Sequence, residues 1–166
     1  MQVQARRIGL VALVLGVALL SAGSEALAQA RAGNPFMGVW ELDRFKSVYE
    51  PIATQPQKQI LTIATAPTAG QFSATTKTWR NEVANETTYT AAADGKDYPT
   101  TAARATVAFK QVNGTTWERT AKLFDEIAET ATWVVSADGK TLTITRKGVD
   151  GTGAEYSSTA FFNKVP

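Results

Sequence analysis

Arg119 and Glu129 are the residues of this chain best placed by type and spacing to do chemistry. Arg119 falls on the alternation Trp117, Arg119, Ala121, Leu123, and Glu129 on the alternation Ile127, Glu129, Ala131, Trp133, Val135. Each charge therefore stands alone among apolar neighbours on one face of a strand. A hairpin joining the two segments brings the pair nearly opposite each other. Facing a cavity, Arg119 could grip a ligand carboxylate and Glu129 a ligand amine, and water-poor surroundings strengthen both contacts. Read plainly, the two form an ordinary cross-strand ion pair, worth ~0.2–1 kcal/mol if exposed. Tyr89, Phe109, Trp117 and Trp133 lie on faces that a closed sheet turns inward, where small barrels fill their own interiors. With Arg119 and Glu129 they make up the expected ligand lining.

What is missing narrows the chemistry further. The chain has no His and no Cys, which removes Ser-His-Asp and Cys-His catalysis and nearly every ordinary zinc, copper or haem site. No phosphate-binding glycine loop, calcium loop or dinucleotide fingerprint is present. No cofactor and no metal are expected, and Glu129 is the only acid that an enzymatic reading can nominate. The expectation is a protein that binds rather than turns over.

The elements that must position these residues are strands. Twenty-three Thr, with Val, Ile and the aromatics, make the chain β-prone. Ala105, Val107 and Phe109 oppose Arg104, Thr106 and Lys110, and Leu142 and Ile144 oppose Thr141, Thr143 and Thr145. Turn signals at Thr68-Ala69-Gly70, Ala93-Asp94-Gly95-Lys96, Asn113-Gly114, Ala137-Asp138-Gly139-Lys140 and Asp150-Gly151-Thr152-Gly153 separate nine predicted strands. These run over 37–42, 58–66, 71–80, 82–92, 104–112, 115–122, 127–136, 140–147 and 155–163. Asp43 to Tyr49 reads as one short helix after the first strand, ended by Pro51 and Pro56. The fold class is all-β: an up-and-down antiparallel barrel of about 8–10 strands, since closure removes the edges of such a meander. A two-sheet sandwich is the alternative, and it requires longer crossovers.

The first thirty residues read as a secretory signal peptide. Arg6 and Arg7 precede an unbroken apolar run of 13 residues, Ile8 to Leu20, and small residues allow cleavage after Ala28 or Ala30. The run is short of the ~20 residues a membrane span needs. Cleavage after Ala30 leaves 136 residues, 31–166, enough for one domain. Setting aside Arg6, Arg7 and Glu25 leaves 15 basic against 14 acidic residues, a balance that does not favour nucleic acid. A periplasmic or extracellular monomer is expected, with no membrane span after cleavage and no disulfide, its stability resting on the packed core.

Gly38-Val39-Trp40 resembles the Gly-x-Trp signature at the first strand of lipocalin-like, or calycin, barrels. The stretch Trp40 to Tyr49, with Asp94-Gly95-Lys96-Asp97-Tyr98-Pro99 and Asp138 to Ile144, is similar to a group of small secreted bacterial lipocalin-like proteins. The resemblance covers most of 36–163 and implies a binding barrel for a small, largely apolar ligand, with Trp40 packing across the closed end. It also departs from that pattern: the disulfide of larger lipocalins is absent, and Glu155-Tyr156-Ser157 stands where intracellular relatives carry an Arg-x-Tyr that holds a fatty-acid carboxylate. The alternative function is a protein-interaction module, such as a secreted protease inhibitor, using Arg31 to Pro35 as a free arm.

Overall fold

The computed structural model describes residues 33–166, so the predicted signal peptide and the first two residues of the expected arm lie outside the described residues. Ten antiparallel strands follow: β1 (Gly38–Glu50), β2 (Lys58–Thr65), β3 (Gln71–Arg80), β4 (Val83–Ala92), β5 (Asp94–Pro99), β6 (Ala105–Asn113), β7 (Thr116–Leu123), β8 (Glu126–Val135), β9 (Thr141–Val149) and β10 (Glu155–Val165). Their order in the sheet is β4-β3-β2-β1-β10-β9-β8-β7-β6-β5. Every strand lies beside its sequence neighbour and the first pairs with the last, so the Greek-key crossings of a sandwich are absent. The two ends of the sheet meet at a bridge between Tyr89 and Thr100. There the Thr101 amide donates to the Thr88 carbonyl at 3.0 Å, and the Thr88 amide donates to Thr101 Oγ1 at 2.9 Å. The barrel is closed except along the rest of this seam.

Two predicted elements differ. Asp43–Tyr49 is not helical; it is the second half of β1, interrupted by a bulge in which Asp43 pairs with Phe161 and Val48 with Thr159. The irregular stretch is tied down by Ser47 Oγ, which donates to the Asp43 carbonyl at 2.7 Å and accepts from the Phe161 amide at 2.9 Å. Phe45 at its tip is 95% exposed. The spacing of Phe45, Val48 and Tyr49 imitates a helical stripe, which is why the segment reads as a helix. The only helical turn among the described residues is the 3-10 turn Ile52–Thr54 that follows. The tenth strand, β5, was hidden because Asp94-Gly95-Lys96 looks like a hairpin turn; Asp94 already pairs with Lys110.

Because strands alternate in direction, β1 runs from a base to a mouth. The base is plugged by Phe36, fully buried just before β1. Its ring stacks on Trp117 at 4.0 Å, and its carbonyl accepts from Trp40 Nε1 at 2.8 Å. Phe72, Phe109 and Trp133 continue the cluster, with Phe72 4.7 Å from Trp117 and Phe109 5.3 Å from Trp133. Each fully buried aromatic of this kind contributes ~1.5–3 kcal/mol. Trp79 lies on the outer wall beneath the ammonium groups of Lys58 and Lys77.

At the mouth, Asp150 caps the β9–β10 turn, accepting from the Thr152 hydroxyl at 2.6 Å and from the amides of Thr152 and Ala154 at 2.8 and 3.0 Å. These bonds hold its carboxyl below the ordinary range. A depressed folded value means stability present above the unfolded value, ~3.9, and lost as pH falls through the folded one. Asp150→Ala should therefore be less stable than wild type at neutral pH, the gap closing in acid; urea midpoints at pH 7 and pH 3 measure it.

Candidate functional site

The interior divides along the barrel axis. The base half is the aromatic cluster; toward the mouth the inward positions turn polar. Leu142 and Ile144 on β9 give way to Arg146, Phe162 and Ala160 on β10 to Ser158 and Tyr156, and Trp133 and Ala131 on β8 to Glu129. Gln59 and Thr78 join this belt, buried and hydrogen-bonded to each other at 2.8 Å.

Glu129 is the centre of the belt. One carboxylate oxygen meets the guanidinium of Arg119 in an ion pair. The other accepts from the Tyr156 hydroxyl at 2.6 Å and lies 3.9 Å from Arg146 Nη1. Arg146 in turn donates to Ser158 Oγ at 2.8 Å and reaches the Tyr49 hydroxyl at 3.5 Å. Arg119 and Glu129 are not directly opposite: Arg119 pairs with Ala131 and Ala121 with Glu129, one inward position apart. Both are largely buried, with 17% and 9% of their side-chain surface accessible, so they are not the exposed pair of the plainer reading.

Gly148 makes the Tyr156 contact geometrically available. Tyr156, Gly148 and Glu129 sit on one rung across β10, β9 and β8, and a Cβ at Gly148 would collide with the Ala128 carbonyl oxygen and stand 3.0 Å from the Tyr156 hydroxyl. Gly148→Ala should destabilise the protein by about 1–3 kcal/mol through overpacking and displace Tyr156 from Glu129. Urea unfolding reads the first effect and tyrosine ring NMR shifts the second.

The six residues expected as lining form one connected set. Tyr89 lies 5.7 Å from Phe109, Phe109 5.8 Å from Trp117 and 5.3 Å from Trp133, and the Arg119 guanidinium stands 5.9 Å from the Trp133 ring. Their surroundings differ: Phe109 and Trp117 are packed within the aromatic cluster, while Arg119 and Trp133 line an interior cavity of about 70 Å³ with Gln59, Leu61, Thr76, Ile144, Arg146 and Phe162. Glu129 lines a larger cavity of about 580 Å³ at the mouth, with Tyr156, Gly148, Ile127 and Glu50. Burial pushes the Tyr89 hydroxyl above its ordinary pKa and the neighbouring Arg119 opposes the shift. Arg119 is pulled below its own ordinary value by burial, against the favourable influence of Tyr89.

Arg146, Tyr156 and Tyr49 were missed by sequence reasoning. Arg146 had a signal, because it extends the inward face of Leu142 and Ile144. Among the described residues no group of three or more His, Cys, Asp or Glu could hold a metal, and no helix is long and apolar enough to cross a membrane. Of the expected free arm, Asn34 is already folded into the base turn, its side chain accepting from the Phe36 amide at 3.0 Å.

The ring order and the near-closed seam define the class: an up-and-down antiparallel β-barrel. No protein-family model matches the chain, and no curated protein matches it. Among solved structures the chain is similar to the zebrafish ileal bile acid-binding protein complexed with cholic acid, with a TM-score of 0.49 and 16% identity over 79% of this chain and 99% of that one. It is also similar to the siderocalin Ex-FABP, described as functioning through dual ligand specificities, with a TM-score of 0.37 and 10% identity over 79% of this chain and 71% of that one.

Proposed function

We propose that this is an exported binding barrel, periplasmic or extracellular, for a small, largely apolar ligand that enters at the mouth. The observation carrying it is the polar belt below the mouth cavity: buried Tyr89, Arg119 and Trp133 each keep a polar atom without a hydrogen-bond partner. Leaving such a group unsatisfied costs ~1–3 kcal/mol, a cost that a ligand or ordered water offsets. The mouth cavity, about 580 Å³, is in the range that holds small molecules. Binding fits better than turnover because both oxygens of Glu129 are already engaged, by Arg119 and by Tyr156. The apolar run behind Arg6 and Arg7 supports export.

Native mass spectrometry with organic extraction, on mature protein from its host's secreted or periplasmic fraction, tests this. A small molecule retained at near-stoichiometric amount is expected. Ligand-free protein, with no thermal shift against a panel of lipids and hydrophobic metabolites, would overturn it.

A further inference from the structure

On the footing of the binding-barrel reading, we propose that the interior site takes the carboxylate of its ligand, held by donors of Arg119, Trp133 and Tyr89, while Glu129 positions Arg119 and leaves the ligand untouched. The chemistry of the unpartnered atoms decides the headgroup. Arg119 Nε and Trp133 Nε1 are buried and without partners, and neither group can accept a hydrogen bond. The Tyr89 hydroxyl, also unpartnered, faces the Arg119 guanidinium. Two atoms of the unpartnered set can accept: Glu129 Oε1 is turned to Arg119 in the ion pair, and the Tyr89 oxygen faces the same guanidinium, which leaves its O–H to donate. The site thus holds spare donors and no spare acceptor.

Charge selects in the same direction. Arg119 and Arg146 both face Glu129, which leaves one positive charge in surplus. An ammonium headgroup would bring more donors to a place already rich in them and would meet that surplus charge. A carboxylate supplies the acceptors and neutralises it. Size fixes the depth: the cavity shared by Arg119, Trp133 and Arg146 is about 70 Å³, room for about two water molecules at ~30 Å³ each. That space holds a headgroup and not a whole ligand, so the apolar body lies on the mouth side.

Calorimetric titration of the mature protein with octanoate, octanol and octylamine at neutral pH tests this. Octanoate should bind at least tenfold more tightly than octanol, and octylamine should give no heat of binding. Trp133→Phe and Tyr89→Phe each remove one donor and keep the ring. Each should weaken octanoate about tenfold, leave octanol unchanged, and raise the thermal midpoint of the free protein, because a buried donor without a partner has gone. Tighter folding with looser binding is a combination that a merely structural role does not produce. Octanol binding as tightly as octanoate, or octanoate affinity unmoved in both variants, overturns the carboxylate assignment and leaves the barrel's binding role standing. No uptake of any of the three overturns both.

Discussion

Glu129→Leu is expected to destabilise the protein by about 3–5 kcal/mol, because it strands buried cations that pair with no other acid among the described residues. Arg119 would lose its ion-pair partner, and Arg146 would keep only Ser158 and the tyrosine hydroxyl of Tyr49. In a domain of this size the loss corresponds to a fall in thermal midpoint of roughly 10 °C. The paired variant Arg119→Met with Glu129→Leu should recover much of it, since exchanging a buried ion pair for apolar groups is often neutral. Urea unfolding of the two variants beside wild type reads both effects. A single variant within about 1 kcal/mol of wild type would sink the belt as a stabilising unit, since removing one partner of a buried pair ordinarily costs several times that.

Phe36→Ala is the other large effect, again about 3–5 kcal/mol, from lost transfer energy and from the cavity left in the base. Phe36 is fully buried and stacks within 14° of parallel on Trp117. The Trp40 indole donates to the main-chain carbonyl of residue 36, a bond that survives the change, so the loss belongs to the ring. Near-ultraviolet circular dichroism should lose intensity with stability, because Trp117 loses its stacking partner. Unchanged stability would mean that the base closes without residues preceding the first strand.

The hairpins were legible because their signals are local: Asn113-Gly114 and Ala137-Asp138-Gly139-Lys140 carry their turn chemistry within a few residues. Strand faces were legible wherever alternation runs unbroken, as in Val107 and Phe109 or Leu142 and Ile144. The two misreadings are places where it breaks. At Asp43–Tyr49 a bulge imitates helical spacing, and at Asp94–Pro99 a Gly that favours a turn sits inside a strand. In the site, Arg119 and Glu129 stood out as single charges on apolar faces. Their companions depend on register across three strands: that Tyr156 passes over Gly148 to reach Glu129 is set by pairings between distant segments, which no local pattern encodes.

The bulge in β1 also acts as a phase correction. A strand shows alternate residues to its two sides, so an unbroken β1 that buries Trp40 and Leu42 would turn Tyr49 to the solvent and bring Glu50 inside. Between Asp43 and Val48 the strand carries an odd number of surplus residues relative to β10, and the parity flips. Ser47 and Tyr49 face inward instead, Tyr49 comes opposite Ser158, and Arg146 gains a hydroxyl in place of a second carboxylate. A one-residue slip of segment 48–50 against β10, with no change in length, would restore an even count. It would turn Glu50 inward on the rung of Tyr156, Gly148 and Glu129, and two carboxylates against Arg119 and Arg146 would cancel the surplus positive charge of the belt.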